Sequence, residues 1–365
     1  MKKKAFWAKD DCYYTRLGIE KNTAIWEDGM RSTGDRGTYE WWYTDTEYSN
    51  GTKIVLIFYS KDHLDVKGPS NPTVQIDVTL PKEKTISVAF SEGKGKLIDA
   101  SKEKCDVNIG ESSIKYIDGK YHLKFSHNDV EYSCVMDPLL PMWRPGTGYL
   151  YFGEEEKNYF AWFVAVPSAN AKATLKINGK TYNLEGNGYH DHNWGNIGIN
   201  NVINHWYWCR GNIGPYTVIA CDIISEKKYD YTRVPVMLIS KDGVIIDDNE
   251  ENTVIERSKT EQHPITNKFI DNKLTYFQKT DSNTSYEISF ERNSDIMVGN
   301  LLELIGLSKF KICLAKFIGL NPTYIRCIGN VKLTVSKNGQ VETFENEALW
   351  EQMFFGNNKD AIINN

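Results

Sequence analysis

Apolar and polar positions alternate with a period of two along most of this chain, the signature of half-buried β-strands. The stretch Val74-Gln75-Ile76-Asp77-Val78-Thr79-Leu80 alternates strictly, while residues 54–59 form an unbroken apolar run suited to a strand buried on both faces. Turn signals separate such runs at short intervals. His127-Asn128-Asp129 stands between strands predicted over 121–126 and 130–136. Asn178-Gly179, a strong hairpin signal, stands between 173–177 and 181–184. Residues 149–152 and 159–166 read as two more strands around the charged turn Glu154-Glu155-Glu156-Lys157. The same grammar continues through the pairs 206–210 and 216–224, 236–240 and 244–247, 273–279 and 285–292, and 331–336 and 341–344.

Only residues 299–320 have roughly helical spacing, with Gly306 and Gly319 placed to break or cap it. This predicts one helix near the C-terminus, plugging a barrel or packing on a sheet. Residues 1–36 are polar and irregular and read as an N-terminal arm with little regular structure. Roughly eight strands precede residue 185 and roughly eight follow, and a closed small barrel takes about eight. The expected architecture is therefore all-β, with two tandem antiparallel β-barrels over 37–185 and 186–365.

Composition narrows the partners. The net charge of −5 and a pI near 5.9 give no electrostatic footprint for nucleic acid or an anionic membrane. No run reaches about 18 apolar residues, so no transmembrane helix is expected. The seven cysteines are odd in number and form no CxxC pair, which argues against a disulfide framework or a structural zinc and for reduced thiols. The basic start Met1-Lys2-Lys3-Lys4 is followed by an apolar run too short for a secretion signal, so a cytoplasmic location is expected. Aromatic residues reach 13%, enough to fill a β-rich core or to line a pocket for an apolar ligand.

Three stretches stand out chemically. Gly188-Tyr189-His190-Asp191-His192-Asn193-Trp194-Gly195 holds two imidazoles, a carboxylate, an amide, a phenol and an indole. Such groups are costly to bury unless each finds a partner. His205-Trp206-Tyr207-Trp208-Cys209-Arg210 follows, and Tyr39-Glu40-Trp41-Trp42-Tyr43 lies upstream. The three are expected to meet around one aromatic pocket. On an extended strand His190, His192 and Trp194 share one face, and Tyr189, Asp191 and Asn193 the other. Two histidines at this spacing, with His205 as a third, are able to ligate a metal. A cupin-like site would add a glutamate shortly after the pair, but Asn196 and Ile197 stand there, so no metal is assigned.

Asp191 and His190 serve either as hydrogen-bonding groups fixing the domain junction or as site residues. Asp222 shares a strand face with Val218 and Ala220. A carboxylate in that setting is either paired, with Arg210 on the neighbouring strand the candidate, or stays protonated as a usable general acid. Trp206 and Trp208 share one face, and Trp42 shares one with Glu40; each set is core or pocket wall. No GxSxG elbow, phosphate loop, HExxH or dinucleotide fingerprint is present, so no cofactor is expected.

The combination Glu40-Trp41-Trp42-Tyr43, the 188–195 segment and Trp206-Tyr207-Trp208 resembles the carotenoid 1,2-hydratase (hydroxyneurosporene synthase) and AttH-like superfamily. That group also includes kievitone hydratase and the lipocalin-like Diels–Alderases. The resemblance spans roughly residues 36–356, with Tyr324-Ile325-Arg326 and Trp350-Glu351-Gln352-Met353-Phe354-Phe355. It implies two lipocalin-like barrels with a pocket near their junction and a hydrophobic small-molecule substrate. It implies a cofactor-free hydratase, or a cyclase that works mainly by orienting a polyene. A hydratase would use Asp222 or Asp191 as acid, with His192 orienting or relaying the proton and Trp194, Trp206 and Trp208 facing a cation. A cyclase would use the same walls, with His192, Tyr207 or Glu40 bonding a substrate carbonyl, and Trp42, Tyr43 and His190 completing the pocket. A non-catalytic lipocalin-like carrier is the third reading. Cys209 stands where the family pattern has glycine, which narrows the expected pocket. The short start of the chain differs from secreted fungal members and points to a bacterial-type enzyme.

Overall fold

The structure is a computed structural model that describes residues 4–281, 283–300, 302, 312 and 321–355. The chain folds as two compact units, Met1–Ile199 and Asn200–Asn365. Each is built on one curled antiparallel sheet of the lipocalin-like, half-barrel kind, so the all-β expectation holds.

The first sheet has thirteen strands among the described residues. Its middle runs, neighbour to neighbour, through Thr73–Thr79, Lys53–Tyr59, Tyr39–Tyr48, Lys180–Gly195, Asn158–Ile177, Val130–Pro138 and Lys120–His127. The period-two pattern sets which side chains turn inward. Along Val130–Pro138, Val130, Tyr132, Cys134 and Met136 are buried and the residues between them are exposed. They join Leu56, Phe58, Val74, Ile76, Leu123 and Phe125 in one core, which gives the sheet its driving force. Asn178 and Gly179 both take positive φ, 53° and 71°, as a tight hairpin of the right twist requires.

The second sheet has nine strands among the described residues, in the order Val244–Asp247, Arg233–Lys241, Tyr216–Ser225, Ile203–Ile213, Gln340–Phe354, Thr323–Lys337, Thr284–Asn300, Phe269–Lys279 and Thr253–Gln262. Tyr207, Cys209, Val218, Ala220, Ile288, Leu333 and Trp350 build its core.

The structure differs from the sequence expectation in four respects. The predicted junction at 185/186 falls inside the strand Lys180–Gly195, whose hydrogen-bonded neighbours on both sides belong to the first sheet; the division comes after Ile199. The runs at 159–166 and 173–177 are one strand, Asn158–Ile177, with register shifts between Phe163 and Ala169. The arm over 1–36 is ordered by tertiary contacts into a strand, Ala5–Trp7, a helix, Asp11–Leu17, and a 3-10 turn, Ile25–Asp28. The helix predicted over 299–320 lies outside the described residues, except that Gly299 and Asn300 end a strand while Leu302 and Ile312 are helical and buried.

Candidate functional site

Strand pairing brings two of the three stretches together. Lys180–Gly195 lies against Tyr39–Tyr48 with Trp194 opposite Glu40, Asn193 opposite Trp41, His192 opposite Trp42 and Asp191 opposite Tyr43. The extended motif puts His190, His192 and Trp194 on the inward face, where Glu40 and Trp42 join them. Trp42 stacks on His192 with ring centroids 4.5 Å apart and planes 11° apart, and Trp194 stands 4.8 Å from His192 with its plane tilted by 41°. Trp194 donates its indole N–H to the Tyr149 hydroxyl at 3.2 Å. Gly195 closes the motif because a Cβ there would lie 2.4 Å from the Tyr39 hydroxyl.

The polar groups on this face form a chain. His192 Nε2 donates to Glu40 Oε1 at 2.7 Å. Glu40 also receives the backbone N–H of Arg31 at 2.6 Å, and the backbone N–H and hydroxyl of Ser32 at 2.9 and 2.5 Å. On the far side of His192, Nδ1 faces Asp28 Oδ1 at 3.7 Å, and among the described residues neither atom has a hydrogen-bond partner. Asp28 Oδ2 lies 3.2 Å from His190 Nε2 and accepts the Tyr121 hydroxyl at 2.7 Å. His190 Nδ1 donates to the Tyr43 carbonyl at 2.8 Å. Burial disfavours a charged His190, but the charge and hydrogen bond of Asp28 outweigh it and hold the imidazole above its ordinary range. Burial, then Asp28, pushes the Tyr121 phenol up, so it remains a donor.

The sequence reading missed Asp28, Arg31, Ser32 and Tyr121. Asp28 belongs to the Ile25–Asp28 turn, which is anchored by a buried ion pair. Arg144 Nε donates to Glu27 Oε2 at 2.7 Å, and Glu27 Oε1 caps the Ala24 N–H at 2.8 Å. Trp42 Nε1 donates to the Asp28 carbonyl at 3.1 Å. Beside this segment lies a cavity of about 310 Å³ lined by Trp26, Met30, Arg31, Lys102 and Glu103. Arg31 links the two, since its peptide N–H holds Glu40 and its side chain lines the cavity. The one sequence signal was the pair Glu27-Asp28 beside Trp26 in a stretch otherwise read as an arm.

Asp28, Cys105 and His190 place potential ligand atoms within 4.8 Å of one another. Asp28 Oδ2 is taken up by Tyr121 and His190, and burial pushes the Cys105 thiol up, so the three are engaged with their neighbours.

Asp191 is on the opposite face. Its Oδ2 accepts from the Tyr189 hydroxyl at 2.8 Å and Trp162 Nε1 at 2.9 Å, and its Oδ1 from Asn193 Nδ2 at 2.7 Å. Tyr43 shares that face, edge-on to Tyr189. Asp191 therefore orders the strand behind His190 and His192 and does not join their inward face.

The third stretch lies in the second unit, on Ile203–Ile213. Tyr207 and Asp222 oppose each other across adjacent strands. Asp222 does not stand alone. Arg233 Nη2 donates to its Oδ2 at 2.6 Å and Arg257 stands at 3.9 Å, so the expected Arg210 partner is replaced by two other arginines. Tyr207 donates to Asp271 at 2.7 Å. His205 donates from Nδ1 to Asn204 at 2.8 Å and stacks on Phe354. Trp206 and Trp208 alternate with Tyr207 and project from the other face, where Trp206 meets Phe355.

A curled antiparallel sheet whose inner face packs two indoles against an imidazole–carboxylate chain defines a lipocalin-like protein with a buried polar cluster. Residues 135–297 match the Diels-Alderase-like family model, and the resemblance drawn from the sequence stands. Among curated relatives, a quinolone epoxide rearrangement protein of Penicillium thymicola is 35% identical over 101 residues, 27% of each chain. A hexane cyclase of Penicillium citrinum is 24% identical over 254 residues, 62% of this chain and 54% of that one. The chain thus spans from about a quarter to about half of the length of these relatives. Two solved structures share the fold: a putative AttH from Nitrosomonas europaea (TM-score 0.64, 14% identity, 92% and 98% of the two chains) and kievitone hydratase from Nectria haematococca (TM-score 0.55, 13% identity, 93% and 97%). No helix of the described residues is long and apolar enough to cross a membrane.

Proposed function

We propose that this chain is a cofactor-independent enzyme that hydrates or cyclises C=C bonds of a hydrophobic polyene, isoprenoid or polyketide-like substrate, with acid assistance from the inner face of the first unit. The observation that carries this reading is the hydrogen bond between His192 and Glu40 beneath the indoles of Trp42 and Trp194. A doubly protonated His192 gives a proton to one alkene carbon, and the positive charge that forms on the other lies against aromatic faces, which stabilise it. Water then bonds to that carbon and returns a proton to the His192–Glu40 pair, giving a hydrate. Capture by a second π bond, followed by loss of a proton to the same pair, gives a ring of unchanged mass. The activities named for the relatives, epoxide rearrangement, cyclisation and hydration, support this class.

His192 and Glu40 handle protons in this reading, and His190, Trp42 and Trp194 shape the site. Asp191 supports the strand from behind. Six cysteines among the described residues are free thiols, which suits a reducing cytoplasm. A pericyclase that works by folding its substrate uses the same walls and leaves the His192–Glu40 pair to bond a carbonyl. A carrier would explain the aromatic residues but not the buried acid–base chain.

The test is a mass comparison. Purified protein is incubated with the hydrophobic compounds extracted from a strain lacking it. A product heavier by one water establishes hydration, and a new product of unchanged mass establishes cyclisation or isomerisation. A compound that co-purifies unaltered overturns the enzymatic reading in favour of a carrier.

A further inference from the structure

His192 is held between two carboxylates, and only one of them comes from the motif's neighbouring strand. Glu40 takes Nε2 at 2.7 Å, while Asp28, from the Ile25–Asp28 turn, presents Oδ1 to Nδ1 at 3.7 Å. Both of these last atoms are fully buried and without a hydrogen-bond partner among the described residues. A neutral imidazole that gives its one N–H to Glu40 turns a lone pair toward the Asp28 carboxylate, an arrangement that leaves two buried acceptors facing each other. A second proton on Nδ1 turns the same contact into an ion pair. His190 repeats the pattern: its Nδ1–H goes to the Tyr43 carbonyl, so Nε2 meets Asp28 Oδ2 at 3.2 Å with a proton between them.

We propose that Asp28 is a positioning residue of the site, holding His192 as a doubly protonated imidazolium ready to give up a proton. Two imidazolium ions and two carboxylates then make the buried group neutral as a whole, so that no charge in it is left without an opposite partner. The inference rests on the acid-assisted reading above and assigns the residue that sets the acid's charge.

The surroundings of His192 agree with this. On its own strand, His190 and Trp194 share its face, and Asp191 points to the other side. Tyr39–Tyr48 contributes Glu40 and Trp42. Asn158–Ile177 contributes only the uncharged Phe163 opposite His192. Behind Asp28 stand Tyr121 and Cys105, both kept protonated by burial, and Arg31 acts on Glu40 from the cavity side. The turn that carries Asp28 is fixed by Glu27–Arg144 and by the Trp42 indole, so the carboxylate is delivered to a defined place.

The experiment follows the imidazole nitrogens by 15N NMR in the full-length protein between pH 5 and 9, without substrate, for wild type, Asp28→Asn and Tyr121→Phe. The expected result is a wild-type His192 that stays doubly protonated beyond neutral pH. Asp28→Asn should lower its titration by at least one pH unit. Tyr121→Phe, which leaves the carboxylate less stabilised and more basic, should leave the titration in place or raise it. In turnover, Asp28→Asn should move the alkaline limb of kcat down by the same interval, with KM within about twofold and kcat recovered at low pH. A His192 already neutral at pH 6 in wild type overturns the proposal. So does an unchanged titration in Asp28→Asn, or a loss of kcat that is equal at every pH. Should Asp28→Asn not fold, a titration lowered in Tyr121→Phe overturns it. The NMR arm needs no substrate, so failure of the proposed reaction would appear separately, as absent turnover beside an intact titration.

Discussion

Glu40 and His192 lie on adjacent strands two residues out of register, and their side chains close that diagonal with a 2.7 Å hydrogen bond on the inner face of the sheet. Trp42, directly opposite His192, stacks on the imidazole and sends its N–H to the backbone of Asp28. One strand pair thereby supplies the proposed acid–base couple, its aromatic cover and the anchor for a turn from elsewhere in the chain. Four predictions follow from this arrangement and from its counterpart in the second unit.

Burial is the largest influence on Asp191 and pushes its carboxyl up to about 7, against the hydrogen bonds from Tyr189, Trp162 and Asn193 and the charge of His190. The folded state therefore holds a proton there that the unfolded chain has released above about pH 4. Stability from this group falls as pH rises from about 4 to about 7, by up to about 4 kcal/mol at 1.36 kcal/mol per unit. Asp191→Asn should flatten that part of the profile, measured as urea unfolding free energies at pH 5 and pH 8. An unchanged difference between those two values would show that Asp191 is ionised in the folded protein.

Arg144 and Glu27 are both buried and paired at 2.7 Å. Arg144→Ala strands the Glu27 carboxylate and should cost about 3–5 kcal/mol in urea unfolding. The double variant Arg144→Met, Glu27→Gln should cost clearly less than the sum of the single changes, because the stranded charge is gone. Additive losses would mean that the pair does not act as a unit in holding the Asp28 turn.

Asp222→Asn tests whether the second unit's carboxylate is structural. It removes the partner of Arg233, which is partly exposed, and of the buried Arg257. The expected loss of stability is about 3 kcal/mol, the low end for a buried pair. Turnover per folded molecule should stay within about threefold of wild type, well inside the range separating proton donors from bystanders. A hundredfold fall in kcat with unchanged stability would restore Asp222 as the acid.

The period-two pattern was enough to place the hairpins around Asn178-Gly179 and Lys337-Asn338-Gly339, and the face-sharing of His190, His192 and Trp194. Strands such as Thr253–Gln262 escaped because most of their side chains are exposed, so no hydrophobic face marks them. Asp28 escaped for a different reason. The Ile25–Asp28 turn has no periodicity of its own and is held by partners far along the chain, Arg144 and Tyr121. The partner of Asp222 was misjudged because strand order is not written locally: Arg233 comes from the strand on the side away from Arg210. The carboxylate–imidazole contact across strands, by contrast, follows from two motifs that the sequence displays openly.

The most direct measurement of the central claim compares turnover with ligand binding in His192→Gln and Glu40→Gln. Both changes keep the side-chain size and remove the proton-handling pair. The account predicts a fall in kcat of about 100-fold or more, the lower range for loss of a general acid, with the substrate dissociation constant within severalfold of wild type. Equal losses of binding and turnover, or full activity without the pair, would contradict it.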